Sequence, residues 1–378
     1  MPQFHPLNFV FPNHPQSQVM NSLHSYTNAE INELKNKSEK GFINVICPKN
    51  ITEKSPILVR RIWEKFLSKK WYQKQLKPLV YFYKISTLTE QYNGFLGGIQ
   101  TDDFKKKKIT IHEKTFPKRI KQMAEYLEKV KIQAEPVVII HENNLPDSLN
   151  PFILKQKPCD MVFNFEGYRH QLWALSKVQE ETLKNWAEKE KCFHLADGHH
   201  RIECMNYLSD QIKKPLNVSS FLLHHSQIQL QAYIWLLKDP LKKETKIQIE
   251  DLIIQNKGDE ISLNEFINKD LTLAIKINDN YFGFNEFNLK TENIPEFIHN
   301  NLLIRFPDIK QKMKYLPKYI NSLKQLKSLV HSNEIIFSMK PISKELLFEN
   351  AKRNKKLPQK STNILPKMLT GMAISSVY

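Results

Sequence analysis

The sequence predicts a mixed fold of the α/β or α+β type, because segments with helical periodicity alternate with short runs typical of strands. Its 378 residues suffice for two core-forming lobes, or for one large domain with elaborations. Hydrophobic residues make up 41% of the chain and charged residues 25%, the ordinary balance of a globular protein. No apolar run approaches the roughly 20 residues needed to cross a bilayer.

The individual elements follow from local patterns. Apolar residues recur at helical spacing in several segments, and a helix is also expected after an Asp-Gly turn. The predicted helices are Asn28–Lys35, Pro56–Leu67, Ile120–Val130, His199–Leu208 and Ser343–Ala351. Runs rich in β-branched and aromatic residues predict strands, the second of which is expected to pair with the first. They are Leu79–Lys84, Phe95–Gln100, Pro136–His141, Lys191–Ala196, Leu271–Ile277, Tyr281–Phe284 and Ile335–Met339.

The formal net charge of +17 raises the question of a nucleic-acid partner. Only seven of the 56 basic residues are arginines, although arginine is the residue that best reads bases and phosphates. Dispersed lysines in a chain rich in Asn and Ile are typical of codon bias in an AT-rich genome. A functional basic groove is therefore the less favoured interpretation.

The cysteines and the N-terminus bear on the compartment. Four widely separated cysteines lack metal-like spacing and are read as reduced thiols. The first residues show no basic region followed by an apolar core, so no secretory signal is expected. Both observations favour a cytoplasmic protein without a membrane partner.

The most distinctive local feature is the segment from Cys192 to Met205, in which an apolar strand runs into Asp197-Gly198 and then a helix. Glycine permits a turn that other residues resist, and a helix N-terminus favours an anion. His199, His200 and Arg201 add donors there, and Asp197 fits a phosphate that carries a magnesium ion. The structural alternative is that Asp197 caps the helix and the histidines are ordinary polar residues.

The second feature is His112-Glu113, which follows a strand-like stretch and precedes Pro117 at the start of a helix. A glutamate in this position is a candidate general base for a hydroxyl group. The alternative is a solvated turn. The pair lacks the second histidine of a zinc metalloprotease motif.

Other site classes receive less support. The chain has neither the GxxxxGK phosphate loop nor a dinucleotide-binding glycine fingerprint. A zinc site is a further alternative, but the candidate ligands lack the spacing of known sites. They are His112, His194, His199, His200, His224 and His225.

These motifs together resemble the free-serine kinases of the ParB/sulfiredoxin type, and most closely their long bacterial relatives. The similarity extends from about residue 41 to the C-terminus, and the order of the motifs is its strongest part. In chain order they are His112-Glu113, Glu135–Val138, His170–Trp173, Asp197–Arg201, Pro358–Asn363, Pro366-Lys367 and Thr370-Gly371.

The resemblance implies an α+β fold with a ParB/sulfiredoxin-like core over residues 46–235. An irregular segment would precede it at 1–45, and a second α/β lobe with a substrate-closing segment would follow at 236–378. It also implies a kinase that transfers a phosphoryl group from ADP or ATP, with Mg²⁺, to a small hydroxyl-bearing metabolite such as free serine.

The resemblance also implies residue roles. Glu113 would be the catalytic base, and Asp197 would act in catalysis beside the magnesium-bound phosphates as the metal ligand. Gly198, His199, His200 and Arg201 would line the nucleotide phosphates, and Lys360, Ser361 and Thr362 would close over the amino acid.

Some positions depart from the pattern of these kinases. Ile234-Trp235 stands where an arginine-containing pair is usual, Phe9–Gln18 lacks a Pro-Tyr-Asp pattern, and Lys310 and Lys312 stand in a segment where relatives carry arginines and a glycine. The alternative function is therefore a catalytically silent nucleotide-binding protein or a DNA-associated protein of the ParB type.

Overall fold

The computed structural model describes residues 1–48, 55–150, 157–238, 243–268, 270–289, 291–304, 313–317, 334–353 and 355–378. These residues form helices and strands in a mixed α+β arrangement, which confirms the predicted fold class. They divide into two compact units. Unit 1 comprises Met1–Ile111, Thr115–Ile228 and Pro366–Tyr378, and unit 2 comprises His112–Lys114 and Gln229–Leu365.

The strands and helices have the following bounds. The strands are β1 (Phe9–Pro12), β2 (Tyr72–Lys74), β3 (Tyr81–Ser86), β4 (Gln91–Gln100), β5 (Ile109–Thr110), β6 (Ile132–Gln133), β7 (Val137–His141), β8 (Met161–Phe165), β9 (Tyr168–Ala174), β10 (Phe193–Asp197), β11 (Asn217–His224), β12 (Gln229–Gln231), β13 (Tyr233–Lys238), β14 (Asp259–Glu260), β15 (Leu273–Ile277), β16 (Asn280–Phe284), β17 (Met313–Pro317), β18 (Glu334–Met339), β19 (Asn363–Leu365) and β20 (Ile374–Ser376). The α-helices are α1 (Pro15–Gln18), α2 (Asn28–Lys37), α3 (Ile43–Ile46), α4 (Pro56–Ser68), α5 (Thr101–Lys105), α6 (Pro117–Val130), α7 (Lys177–Ala187), α8 (His199–Ile212), α9 (Lys243–Gln255), α10 (Leu263–Asn268), α11 (Glu286–Leu289), α12 (Ile294–Ile298) and α13 (Lys344–Lys352). Turns of 3₁₀-helix lie at Leu23–Ser25, Asp147–Leu149 and His225–Gln227, and a π-helical turn lies at His299–Leu303.

Each helix and strand predicted from its local pattern is present, with ends that differ by a few residues. The expected pairing of the first two predicted strands is also confirmed, since β3 and β4 are antiparallel neighbours. In α4 the predicted apolar face supplies three buried side chains, Val59, Trp63 and Phe66. Helical spacing therefore identified the face that packs into the core.

Unit 1 is built on an eight-stranded mixed sheet with the order β5-β10-β7-β11-β4-β3-β9-β8. Strand β10 runs parallel to β5 and antiparallel to β7. Residues of α6 and α8, among them Ala124 and Ile202, share one hydrophobic core with Val137 of β7 and Leu195 of β10. This core fixes the start of α8 against the central strands.

The N-terminal 45 residues are not irregular as expected. Besides the predicted helix α2, they contain β1, α1 and the start of α3, and β1 pairs antiparallel with both β2 and β20. The last thirteen residues, expected to belong to the second lobe, cluster with unit 1 because β20 also pairs with β6. The remaining boundaries of the predicted division stay a prediction.

Unit 2 contains a six-stranded sheet with the order β14-β16-β15-β18-β13-β17 and a two-stranded sheet of β12 and β19. Successive residues of β13 face opposite sides of the larger sheet: Trp235 packs with α9 and α12, and Ile234 packs with Phe266 of α10. The predicted departures Lys310 and Lys312 lie outside the described residues. No described helix is both long and apolar enough to cross a membrane.

Candidate functional site

The Asp197-Gly198 turn joins β10 directly to α8 in unit 1. Gly198 is the N-cap of α8 and adopts the left-handed conformation, with φ 100° and ψ 25°. A Cβ atom at this position would lie 2.7 Å from Cγ1 of Val137, so the close approach to β7 also requires glycine. The alternative in which Asp197 caps the helix is wrong, because Asp197 is the last residue of the strand.

We expect Gly198→Ala to lower the free energy of unfolding by about 1–3 kcal/mol, since alanine is strained at this φ and contacts Val137. Gly167 offers a matched control because it has φ 83° and no heavy atom within 4 Å of an added Cβ. Urea unfolding of both variants separates backbone strain from the steric contact. Equal losses in the two variants would show that Val137 does not restrict the turn.

Arg201 connects the Asp197-Gly198 turn to the residues that precede β7 through ion pairs and hydrogen bonds. Its Nη2 lies 2.5 Å from Oδ2 of Asp197, and its Nη1 lies 2.9 Å from Oε1 of Glu135. Nη1 also donates to the backbone oxygens of Glu135, at 3.0 Å, and Pro136, at 2.5 Å. The guanidinium group, predicted to line phosphates, thus orients the strand, the turn and the helix in this structure.

Lys367 completes this network from the C-terminal part of unit 1. Its Nζ lies 2.8 Å from Oδ1 of Asp197, and its side chain is 37% exposed. Burial alone would raise the pKa of Asp197, but Lys367 and Arg201 outweigh that effect, and the pKa lies well below its usual range. Thr370 donates to Oε2 of Glu135 at 2.9 Å. The turn therefore carries two carboxylates and two cations held in fixed positions.

The two histidines of the turn differ in their surroundings. His199 is buried, whereas the ring of His200 stacks on Phe116, with centroids 5.9 Å apart and an interplanar angle of 26°. The backbone N–H of Phe116 donates to Nε2 of His200 at 3.3 Å. His200 thereby connects the first turn of α8 to the residue that precedes α6.

Glu113 lies in unit 2, where it is 8% exposed. The residues around it pair with Leu357: the Lys114 N–H donates to the Leu357 oxygen at 3.0 Å, and the Leu357 N–H donates to the His112 oxygen at 2.7 Å. The solvated-turn alternative for Glu113 is therefore wrong. A carboxylate this well buried requires polar partners nearby.

One such partner of Glu113 is the hydroxyl of Thr362, which also contacts His112. Nε2 of His112 lies 3.1 Å from Oγ1 of Thr362, and the Thr362 hydroxyl donates to Oε2 of Glu113 at 3.4 Å. His112 is 1% exposed and Thr362 is 7% exposed. A hydroxyl group thus lies between the imidazole and the carboxylate.

The segment Lys360–Thr362, predicted to close over a substrate, forms an ordered turn in unit 2. Ser361 is buried and its hydroxyl donates to the Pro358 oxygen at 2.6 Å. The indole N–H of Trp235 donates to the Lys360 oxygen at 3.3 Å, and Nζ of Lys360 lies 5.2 Å from the ring centroid of Tyr233. Trp235, which stands where an arginine-containing pair was expected, therefore supports this turn.

The predicted site residues thus form two groups. Asp197 to Arg201 lie together in unit 1, and Glu113 lies with Lys360–Thr362 in unit 2. Sequence reasoning assigned no role to Glu135 or Lys367, and it considered His112 only as an alternative zinc ligand. The available signal was their position inside the shared motifs rather than any local chemistry.

A metal site has little support in this arrangement. Among the described residues, no group of three or more His, Cys, Asp or Glu side chains could hold a metal ion. Both oxygens of Asp197 are already ion-paired with cations, and a divalent ion there would meet their positive charge. These residues do not fit a protein-bound Mg²⁺, and the role of Asp197 as a magnesium ligand remains an untested prediction from the sequence.

Comparison with known families assigns the chain. A family profile for the DUF1015 family, described as proteins of unknown function, covers residues 13–249. The chain therefore belongs to the DUF1015 family. No curated protein sequence matches it.

Several solved structures match the chain at low similarity. A C-terminally truncated SbnI from Staphylococcus aureus is 10% identical, with a TM-score of 0.43 and coverage of 71% of this chain and 82% of that chain. A free serine kinase variant in complex with ADP is 12% identical, with a TM-score of 0.41; the match covers 75% of this chain and 92% of that chain. A conserved hypothetical protein from Pyrococcus furiosus is 12% identical, with a TM-score of 0.37; the match covers 73% of this chain and 94% of that chain.

Proposed function

We propose that this protein binds a nucleotide through its phosphates at the Asp197-Gly198 turn and transfers a phosphoryl group to a small hydroxyl-bearing metabolite. The observation that carries the proposal is the partly exposed ammonium group of Lys367, which Asp197 holds at the start of α8. ADP or ATP would be the donor. Free serine is the acceptor class suggested by the ordered sequence motifs.

Two features of the turn support the binding of a phosphate chain. A helix N-terminus presents N–H groups and the positive end of the helix dipole to an anion. Lys367 adds a partly exposed ammonium group, whose position is set by Asp197 rather than by solvent. Because Arg201 is bound to Glu135, Pro136 and Asp197, it serves to hold this geometry.

Glu113 supplies the acid–base chemistry of the proposal. In the transfer step, the acceptor oxygen forms a bond to the terminal phosphorus, and the bond from that phosphorus to the bridging oxygen of the nucleotide breaks. The hydroxyl proton passes to the carboxylate of Glu113. Burial of this carboxylate keeps bulk water from competing for the proton. We derive no step through a metal ion.

The experiment that tests the proposal is calorimetric titration with ADP, ATP and adenosine. We expect the wild-type protein to bind ADP or ATP, and Lys367→Gln to raise the dissociation constant about 10–100-fold, because a charge-assisted phosphate contact is lost. Adenosine, which carries no phosphate, should bind equally to both.

Lys106→Gln is the matched control. Lys106 also belongs to unit 1 and pairs with a carboxylate, that of Asp102, at 3.2 Å, but on the exposed surface. Its substitution should leave nucleotide affinity unchanged. A wild-type protein that binds no nucleotide at millimolar concentration would contradict the proposal, and so would equal effects of the two lysine substitutions.

A further inference from the structure

The hydroxyl of Thr362 has two buried neighbours that come from a segment 249 to 250 residues earlier in the chain. It lies 3.1 Å from Nε2 of His112 and 3.4 Å from Oε2 of Glu113. Two backbone hydrogen bonds join Leu357 to His112 and Lys114, and they hold the segment containing Thr362 beside the segment containing Glu113. All three polar side chains lie inside unit 2.

The hydrogen-bonding capacity of each group fixes the direction of the chain. The Thr362 hydroxyl donates its single hydrogen to Oε2 of Glu113. The hydroxyl oxygen can then accept from Nε2 of His112. We assign the order of donation as His112 to Thr362 to Glu113, which corresponds to the Nε2-protonated tautomer of the imidazole.

The two distances differ in their consequences. The 3.1 Å contact between His112 and Thr362 is an ordinary hydrogen bond, whereas 3.4 Å is longer than a typical O–H···O bond. The hydroxyl contact restricts the rotation of the Glu113 side chain and so orients its carboxylate.

We propose that His112 and Thr362 are positioning residues for Glu113, and that the turn containing Lys360–Thr362 completes the general base. The inference rests on the proposed function. It assigns the Thr362 hydroxyl to the carboxylate of the base rather than to a substrate. Loss of this hydroxyl should change how fast the proton is transferred and leave nucleotide binding alone.

The test compares Thr362→Val, which keeps the shape but removes the hydroxyl, with Thr362→Ser, which keeps the hydroxyl. We expect Thr362→Val to lower kcat about 10–100-fold at unchanged KM for the nucleotide, and to shift the acid limb of the kcat–pH profile. Thr362→Ser should restore most of kcat. An active wild-type protein with an unaltered kcat and acid limb in Thr362→Val would overturn the inference alone.

Nitrogen-15 NMR of labelled histidine gives a readout that needs no turnover. The His112 signal, assigned by its loss in His112→Gln, should report the Nε2-protonated tautomer in the wild type and change in Thr362→Val. An identical His112 signal in both proteins would overturn the inference. A wild-type protein that transfers no phosphate would instead overturn the proposed function, and with it the role of Thr362 in transfer.

Discussion

Glu113→Gln is expected to reduce phosphoryl transfer by about 10²–10⁴-fold while nucleotide affinity stays unchanged. The amide keeps the size of the side chain but accepts a proton far less readily than the carboxylate does. Binding should survive because the proposed phosphate contacts lie at the Asp197-Gly198 turn of unit 1, whereas Glu113 lies in unit 2. Steady-state rates and calorimetric titration of the same preparation would separate the two effects.

A second glutamate of unit 2 provides the control for this prediction. Glu250 lies on an exposed face of α9, and Glu250→Gln changes the same net charge without touching the proposed base. Its transfer rate should match that of the wild type. If Glu113→Gln also retained a wild-type rate, Glu113 would not be the base, and the contacts of His112 and Thr362 would be purely structural.

Arg201→Ala should lower the free energy of unfolding by about 2–4 kcal/mol, the largest stability effect expected in the candidate site. The substitution leaves Asp197 and Glu135 without the guanidinium group they share, and it removes the donor from the Glu135 and Pro136 oxygens. The side chain is 22% exposed, so water recovers part of this loss. Urea unfolding followed by circular dichroism measures the difference.

Two further arginine variants show whether the network causes the loss. Arg201→Lys keeps the charge but not the planar guanidinium group, so its free energy of unfolding should lie between those of Arg201→Ala and the wild type. Arg353 pairs with Glu349 at 2.7 Å over the same i,i+4 spacing, but it is 73% exposed. Arg353→Ala should cost less than about 1 kcal/mol. If Arg201→Ala lowered the free energy of unfolding no more than Arg353→Ala does, the network around Arg201 would contribute nothing beyond an exposed ion pair.

Much of the fold could be predicted because its elements carry their own periodicity. The apolar face of α4 and the β-branched run of β7 are visible within a few residues of sequence. The strand at the N-terminus was missed because its partners are remote: Phe9 pairs with Ser375, and Pro12 with Tyr72. No pattern inside residues 1–45 specifies either partner, although Phe9–Pro12 is itself a largely apolar run.

The candidate site divides in the same way. The Asp197–Arg201 turn could be predicted because strand, glycine and helix start are consecutive in the sequence. Lys367 lies 170 residues from Asp197, and Thr362 lies 250 residues from His112, so their contacts depend on tertiary structure. The hydrogen bonds from Arg201 to the backbone oxygens of Glu135 and Pro136 could not be predicted either. An arginine suits a structural ion network as well as a ligand contact, so its presence in the sequence does not distinguish the two roles.

Phosphorus-31 NMR of the wild-type protein with ADP or ATP, Mg²⁺ and free serine tests the central claim most directly. We expect a new phosphomonoester resonance that grows with time, requires serine and is absent with Glu113→Gln. Homoserine and glycerol in parallel samples would define the acceptor class. An unchanged nucleotide spectrum with every hydroxyl acceptor, from protein that binds the nucleotide, would contradict phosphoryl transfer and leave a nucleotide-binding protein without this activity.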